Sequence, residues 1–317
     1  MTGPGHRTAR PGKSPGVVEV RDPPSETPQT LVLPVLGHRV SMLVARAAEP
    51  RAVVFALHGG NSGKEYFDSP VAPSLSLLRL GPSLGFTVVA PDRPGYGAAK
   101  TAGELPVAAR TALMHAALDA ATDCSSNGGG VFVLAHSAGC ASALRMAAGE
   151  RGHELLGIEL SGTGLRTSPS AQRLAELGPD RIDGRSLGRL IWGADDLYPV
   201  GTRQALAGRS GTQVEMADAK GWGVELPRLA PRVTVPVRYT LAEHESWWRP
   251  GNEGLAEVAA LFTGAPMVET AIETGGGHNL SVGRTARAYH LRVLAFAESC
   301  LARRSGGDAG PSGGDAV

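Results

Sequence analysis

The stretch VFVLAHSAGC, residues 131–140, carries the pattern on which the interpretation of this chain depends. Five apolar residues are followed by His136 and Ser137, and alanine or glycine stands close to the serine on both sides. A short apolar run of this length is typical of a buried strand. A serine on a sharp turn after such a strand exposes its hydroxyl, and small neighbours permit the close packing that the turn requires. The pattern predicts a nucleophilic Ser137, against the simpler interpretation of a polar strand end.

A serine hydroxyl is hardly ionised at neutral pH, so it needs a base, an acid that orients the base, and donors for an oxyanion. Three further motifs have suitable positions. LHGG at 57–60 ends an earlier predicted strand, PDRPGYG at 91–97 ends the next one, and GGGHN at 275–279 places His278 in a loop after the last strand. The chain order is that of an oxyanion loop, a nucleophile, an acid and a histidine.

Apolar runs rich in β-branched residues alternate with helical patterns along most of the chain, which predicts a mostly parallel central sheet with helices on both faces. TLVLPVLG and RVSMLVARA are predicted as two strands around a turn at Gly37–His38. The alternation is lost between residues 165 and 230, where arginine, glycine and proline are frequent and helical patterns are weak. We interpret this segment as a small lid insertion over the sheet.

The predicted organisation has five parts. Residues 1–28 and 304–317 are rich in small and polar residues without apolar periodicity and are predicted to be disordered. The core is predicted in two pieces, 29–164 and 231–303, on either side of the insertion at 165–230.

Composition excludes several classes of function. The 31 basic and 30 acidic residues give a net charge of +1, which indicates neither a nucleic-acid nor a membrane partner. No apolar stretch approaches the roughly 18 residues of a membrane span, and no apolar segment follows the basic residues near the N-terminus, so a cytoplasmic protein is predicted. The three cysteines, Cys124, Cys140 and Cys300, show neither metal-ligand spacing nor a disulfide framework.

No metal or cofactor is predicted. Asp195 and Asp196 are paired acids without a nearby histidine or cysteine, so we interpret them as solvated turn residues.

The excess of arginine over lysine and the 43 glycines are typical of a GC-rich genome.

From about residue 30 to 303 the sequence resembles the α/β-hydrolase superfamily, through the motifs HGG, DRPGYG, AHSAG and GGGHN. The resemblance implies that Ser137 is the nucleophile and that His278 is the general base and then the acid. It also implies an oxyanion hole made by the backbone N–H groups of Gly60 and Ala138. One position departs from the family pattern, because Ala135 stands where the elbow usually has glycine.

The acid of the triad is assigned by the same resemblance. The family commonly presents it in a Gly-x-x-Asp pattern after the strand that follows the insertion. Laid on Ala242-Glu243-His244-Glu245, this pattern selects Glu245, with alanine for glycine and glutamate for aspartate. Glu243 is the alternative acid.

Several other residues have a predicted place around the site. The substrate pocket is predicted to include Asn61, Trp192, Tyr198, Trp247 and Trp248. Further residues are predicted to support the site without taking part in the chemistry: His58 as a brace of the oxyanion loop, Asp92 as a turn cap, Cys140 as a buried residue behind the elbow, and His136 and His244 as packing or loop residues.

The predicted reaction is acyl transfer to Ser137 from a carboxylic ester or thioester of modest size, followed by attack of water. Secondary-metabolite acyl groups fit the inferred genome type. Two alternatives stay open: a lyase that eliminates acetate or cleaves a carbon–carbon bond with the same serine and histidine, and a non-hydrolytic binder of a small molecule. Enzymes of this superfamily that use an aspartate nucleophile are disfavoured, because the elbow residue is Ser137.

Overall fold

A computed structural model of the chain describes residues 27–122, 128–177, 184–207 and 213–307. Within these residues, eight strands form one sheet in the order β1-β2-β4-β3-β5-β6-β7-β8. The strands are β1 Gln29–Val35, β2 His38–Ala45, β3 Ala52–Leu57, β4 Phe86–Pro91, β5 Val131–His136, β6 Leu155–Ser161, β7 Val237–His244 and β8 Val268–Gly277. Strand β2 is antiparallel to both of its neighbours, and all other pairs are parallel.

The helices of the described residues cover both faces of the sheet. They are α1 Leu77–Ser83, α2 Val107–Thr122, α3 Gly139–Ala147, α4 Pro169–Glu176, α5 Gly184–Trp192, α6 Thr202–Leu206, α7 Gln213–Leu229, α8 Gly251–Ala259 and α9 Ala286–Gly307. Helices α2, α3, α7 and α8 pack on one face, and α1 and α9 pack on the other. The predicted mostly parallel sheet with helices on both faces is therefore confirmed.

Burial explains why the central strands lack an alternating pattern. Every residue of β3 and β5 is buried, because both faces of these strands are covered by helices. The edge strand β1 instead alternates between exposed and partly buried positions. The first turn lies at Leu36–Gly37, one residue before the predicted position, where both residues have positive φ angles of 46° and 77° as hairpin turns of this kind require.

The insertion between β6 and β7 is more helical than its sequence indicates, since it contains helices α4 to α7. In α7, two glycines and Pro227 lower the intrinsic helix propensity. Trp222, Leu226 and Leu229 nevertheless bury one side of this helix in the main core. Tertiary packing thus stabilises a helix that local propensity disfavours.

The ends of the chain differ from the prediction in one respect. Helix α9 continues to Gly307, beyond the predicted end at residue 303. Residues 1–26 and 308–317, most of the two predicted disordered segments, lie outside the described residues. In the described part of the chain, no helix has both the length and the apolar character needed to cross a bilayer.

Strands β3, β5, β6, β7 and β8 run parallel, so their carboxyl ends lie at the same edge of the sheet. The HGG loop follows β3, Ser137 follows β5, Glu245 follows β7, and His278 follows β8. The topology therefore brings four separate segments together at one edge, the place where ligands bind in open α/β sheets.

Candidate active site

Ser137 lies on a sharp turn between β5 and α3. Its φ angle of +50° is in the left-handed region, which is strained for a residue with a side chain and is often found at functional sites. Its N–H donates a hydrogen bond of 2.8 Å to the Ser161 carbonyl. A Cβ at Gly139 would collide with the carbonyl oxygens of Leu57 and His58, so the turn requires glycine there. Ala135 is fully buried in β5, where its small side chain fits.

Ser137, His278 and Glu245 form one hydrogen-bonded chain. The Ser137 Oγ lies 3.3 Å from Nε2 of His278. Nδ1 of His278 lies 2.9 Å from Oε2 and 3.2 Å from Oε1 of Glu245. The Glu245 side chain has no solvent exposure, and that of His278 is 5% exposed. The imidazole therefore lies between a hydroxyl and a buried carboxylate.

The surroundings of Glu245 favour its ionised form. Burial by itself raises the pKa of this carboxyl, but the charge of His278 and its hydrogen bond lower it, and so do the backbone N–H groups of Trp247 and Trp248. The pKa of Glu245 consequently lies below the ordinary value for glutamate. The carboxylate is negative at neutral pH and can hold and stabilise an imidazolium.

Glu243, the alternative acid, has a different position. It is exposed, and its Oε2 accepts a 2.6 Å hydrogen bond from the N–H of Gly275 in β8. The β7–β8 register shifts between Ala242 and His244, and Glu245 comes directly after the strand ends. The structure thus brings Glu245, and not Glu243, to His278.

Gly60 and Ala138 face each other across the site. A Cβ built on Gly60 would lie 3.8 Å from the Cβ of Ala138. Ala138 is the N-cap of α3, and free N–H groups at a helix N-terminus favour an anion. Neighbouring Gly59 leaves little room for a side chain, because a Cβ there would lie 3.2 Å from the Cβ of Ser137.

A cavity of about 600 Å³ opens beside Ser137. Its apolar lining comes from α3, from the insertion and from the loop after β7. The residues are Ala141, Leu165, Ile191, Trp222, Trp247 and Trp248. Its buried charges are paired with one another: Arg93 with Glu215, and Arg145 with Asp218. Asn61 also lines this cavity.

The profile of the Alpha/beta hydrolase family matches residues 53–289, which is more than half of the chain. The chain belongs to the α/β-hydrolase family. No curated protein sequence matches it significantly.

Solved structures of other α/β-hydrolases share this fold at low sequence identity. A thermostable carboxyl esterase from Bacillus coagulans is 18% identical with a TM-score of 0.63, over 86% of this chain and 99% of that one. A monoglyceride lipase from Saccharomyces cerevisiae is 15% identical with a TM-score of 0.66, over 89% and 97%. The thioesterase domain from the curacin biosynthetic pathway is 16% identical with a TM-score of 0.53, over 85% and 100%. At these identities the likeness shows the fold.

Two of the predicted pocket residues of this α/β-hydrolase are placed elsewhere. Trp192 and Tyr198 do not line the cavity beside Ser137. Tyr198 is buried behind His278, and its hydroxyl accepts a 3.2 Å hydrogen bond from the N–H of Asn279. Trp192 packs edge-on against Tyr198, with ring centroids 5.1 Å apart. Both side chains therefore support the loop that carries His278, because α5 turns Ile191 rather than Trp192 toward the cavity.

The supporting histidines pack closely around the site. The N–H of Arg93 donates to Nε2 of His58 at 3.1 Å, so Nδ1 carries the proton and donates to the Gly59 carbonyl at 2.8 Å. Burial, followed by the charge of Arg93, lowers the pKa of His58 to about 3. The ring of His136 stacks on Tyr66 and meets the ring of His278 edge-on at 5.0 Å.

Asp92 is more than the turn cap that the sequence predicts. Its carboxylate is fully buried and accepts hydrogen bonds from the hydroxyl of Ser41 and from both the N–H and Nζ of Lys64. It thereby joins β2 and the segment after the HGG motif to the end of β4. Cys140 is buried behind the elbow as predicted, and burial raises the pKa of its thiol.

The remaining predicted polar residues lie at the surface. His244 is exposed at the end of β7. Asp195 has a side chain 90% exposed and pairs with Arg203 at 3.1 Å. Across the residues that the structure describes, no group of three or more histidine, cysteine or acidic side chains is arranged to hold a metal.

Three residues beside the HGG loop were not among the predicted site residues. Arg93 and Tyr96 belong to the DRPGYG motif, in which only Asp92 was given a predicted role. Glu215 lies in the insertion, on α7, and its carboxylate accepts hydrogen bonds from Arg93 and from the Tyr96 hydroxyl. No local signal marks Glu215, since its partners lie more than a hundred residues earlier in the chain.

Proposed function

We propose that this α/β-hydrolase is a serine hydrolase that cleaves a carboxylic ester or thioester through an acyl-enzyme. The observation that carries the proposal is the chain from Ser137 through His278 to the buried Glu245, at a strained elbow beside a cavity. A hydroxyl so placed can pass its proton to an imidazole that a carboxylate orients.

The proposed reaction has two steps. Nε2 of His278 takes the proton of Ser137 as Oγ attacks the acyl carbon, and the N–H groups of Gly60 and Ala138 stabilise the oxyanion. The protonated His278 then gives its proton to the leaving alcohol or thiol. In the second step His278 takes a proton from the water that attacks the acyl-enzyme, and it returns this proton to Oγ of Ser137 as the acid is released.

The cavity supports an acyl group of modest size. About 600 Å³ is within the range of small-molecule pockets. The buried charges of its wall are paired, Arg93 with Glu215 and Arg145 with Asp218, and the exposed Arg166 and Lys220 also line it. Acyl groups of secondary metabolism are a substrate class consistent with this lining, and the thioesterase domain of the curacin pathway shares the fold.

Labelling with a fluorophosphonate tests the proposal directly. The wild type should be labelled, and Ser137→Ala should lose labelling and reduce kcat/KM on p-nitrophenyl esters by several orders of magnitude. Ser142→Ala is the control, because this serine also lines the cavity, whereas the hydroxyl at Nε2 of His278 is that of Ser137; the variant should keep its labelling. Activity of Ser137→Ala within about tenfold of the wild type would contradict the proposal.

The nature of the substrate and the alternatives are separated by product analysis. Matched esters and thioesters of one acyl group give kcat/KM values that decide between the two leaving groups. In isotopically labelled water, hydrolysis puts the label into the acid product. An unsaturated product without label would indicate a lyase, and labelled wild-type protein without turnover would favour a binder.

A further inference from the structure

The insertion contacts the oxyanion loop through one carboxylate. Glu215 of α7 accepts hydrogen bonds from the guanidinium of Arg93 and from the hydroxyl of Tyr96. The Arg93 side chain is 7% exposed and that of Glu215 is 15% exposed, so this ion pair is largely excluded from water. A Cβ on Gly60 would lie 3.8 Å from Oε2 of Glu215, which puts the carboxylate directly against the loop.

Arg93 holds the peptide group that precedes Gly60. Its Nε donates to the His58 carbonyl at 2.6 Å, and its Nη2 donates to the Gly59 carbonyl at 3.1 Å. The Gly59 carbonyl also accepts hydrogen bonds from Nδ1 of His58 and from the hydroxyl of Ser62, at 2.8 Å and 3.0 Å. A peptide unit is planar, so fixing the Gly59 carbonyl also fixes the direction of the Gly60 N–H.

Tyr96 holds the other side of Gly60. Its hydroxyl accepts a 3.0 Å hydrogen bond from the N–H of Asn61 and donates to Glu215. The two partners of Glu215 therefore form hydrogen bonds with the backbone on both sides of Gly60, Arg93 with the Gly59 carbonyl and Tyr96 with the Asn61 N–H. Asn61 has a φ angle of +54°, a conformation that is uncommon for residues with a side chain but that asparagine adopts more often than most.

We propose that Glu215 is a positioning residue for the oxyanion hole, which orients the Gly60 N–H through Arg93 and Tyr96. The inference rests on the proposed function, in which this N–H is an oxyanion donor. It makes the insertion part of the catalytic apparatus, because one side chain of α7 holds both residues that contact the oxyanion loop.

The charge of Glu215 is the property that matters. A buried guanidinium without a counter-charge is strongly unfavourable. If Glu215 lost its charge, Arg93 would therefore turn toward water and release the Gly59 carbonyl. Asp92, the neighbouring residue, is itself engaged with Ser41 and Lys64. Burial raises the pKa of Glu215, but Arg93 and Tyr96 lower it by more, so the net shift is downward. The carboxylate is therefore ionised at neutral pH.

Glu225 provides a matched control on the same helix. Its carboxylate accepts hydrogen bonds from Nε and Nη2 of Arg145 at 2.9 Å and 2.6 Å. The Glu225 side chain is 16% exposed and that of Arg145 is 9% exposed, similar to the values for Glu215 and Arg93. The partner Arg145 belongs to α3 and makes its other ion pair with Asp218 of α7. Removing the charge of Glu225 therefore weakens the docking of α7 without touching the oxyanion loop.

The test compares Glu215→Gln with Glu225→Gln on one good ester. Glu215→Gln should lower kcat by about 10- to 100-fold and leave KM nearly unchanged. The loss should not exceed that caused by removing an oxyanion donor, because the Gly60 N–H is misplaced and not removed. A trifluoromethyl ketone, which forms an oxyanion on Ser137, should bind more weakly by the same factor as kcat/KM falls. Glu225→Gln should show neither effect, although the thermal stability of both variants falls to a similar extent.

Equal kinetics of the two variants, or a change confined to KM, would overturn the inference. If Glu215→Gln does not fold, Tyr96→Phe takes its place: it removes the acceptor of the Asn61 N–H and should lower kcat in the same way, and unchanged kcat would overturn the inference. Wild-type fluorophosphonate labelling separates the two proposals. An unlabelled Ser137 contradicts the proposed function, whereas a labelled, active wild type with an inert Glu215→Gln change contradicts the positioning role alone.

Discussion

Oε2 of Glu245 lies 2.9 Å from Nδ1 of His278, and both side chains are buried. The same carboxylate accepts the N–H of Trp247 through its Oε1, at 2.9 Å. Both oxygens are thus engaged, Oε2 by the imidazole and Oε1 by the imidazole and the Trp247 N–H, which fixes the carboxylate relative to the ring. A carboxylate fixed in this way holds a single tautomer of His278, with the proton on Nδ1 and the lone pair of Nε2 toward Ser137.

Replacing Glu245 by glutamine is expected to lower kcat on every ester by about 10³- to 10⁴-fold, because an amide can favour the wrong tautomer of the histidine. Glu243→Gln is the control, two residues away and exposed. It should leave kcat within about threefold of the wild type, as surface changes generally have small effects. Steady-state kinetics on one p-nitrophenyl ester measure both. A larger loss for Glu243→Gln would move the acid to that position.

Glu245 should also make stability depend on pH in the acid range. Its pKa is lower in the folded chain than in the unfolded chain, so the ionised carboxylate contributes stability above the ordinary glutamate pKa. This contribution is lost as the pH falls through the lowered pKa. The free energy of unfolding of the wild type, minus that of Glu245→Gln, should stay constant near neutrality and shrink below about pH 4. Urea titrations at a series of pH values measure it, and a difference that grows toward acid would contradict the assignment.

The wall of the cavity should set substrate preference. Leu165 lines the cavity, so Leu165→Ala enlarges it and should shift the ratio of kcat/KM for long over short acyl esters by about tenfold. Trp192 supports the His278 loop from behind. Trp192→Ala should therefore slow all esters by a similar factor. An acyl-chain series distinguishes the two, and a changed ranking in Trp192→Ala would return this residue to the pocket.

A buried ion pair away from the site makes a prediction about stability. Arg238 of β7 is 1% exposed and lies 3.1 Å from Glu159 of β6, which is fully buried. Arg238→Met leaves that carboxylate without its charged partner, which should lower the free energy of unfolding by about 3–5 kcal/mol. The double variant with Glu159→Gln should recover part of the loss, because the amide carries no charge. Chemical denaturation measures both, and no recovery would mean that lost packing of Arg238 is responsible.

The sequence located the parts of the site that local chemistry marks. Ser137 and His278 lie in short motifs whose small residues are required by tight turns, so they can be recognised without a structure. Glu245 was assigned through the resemblance, by the family's acid pattern after a predicted strand, with Glu243 as the alternative. The sheet was predictable for the same reason, because the fully buried strands β3 and β5 are continuous apolar runs.

The insertion was less predictable, because its conformation depends on contacts with distant segments. Helix α7 contains residues of low helix propensity and is stabilised by core packing of Trp222 and Leu226. Trp192 and Tyr198 were assigned to the pocket from composition, but the rotation of α5 decides which side chain faces the cavity. Glu215 is unremarkable in sequence, and only the fold brings it to Arg93.

The Gly59 carbonyl, with its three donors, has an electronic consequence. Hydrogen bonds to a carbonyl oxygen polarise the amide, and linked hydrogen bonds strengthen one another. The Gly60 N–H on the same peptide unit is therefore made more acidic, which suits the oxyanion donor that we propose it to be. A carbon-13 label at the Gly59 carbonyl would absorb infrared light at a lower frequency than the same label in an ordinary loop amide. That vibration would report how strongly the resting protein has already prepared this peptide unit to meet a negative charge.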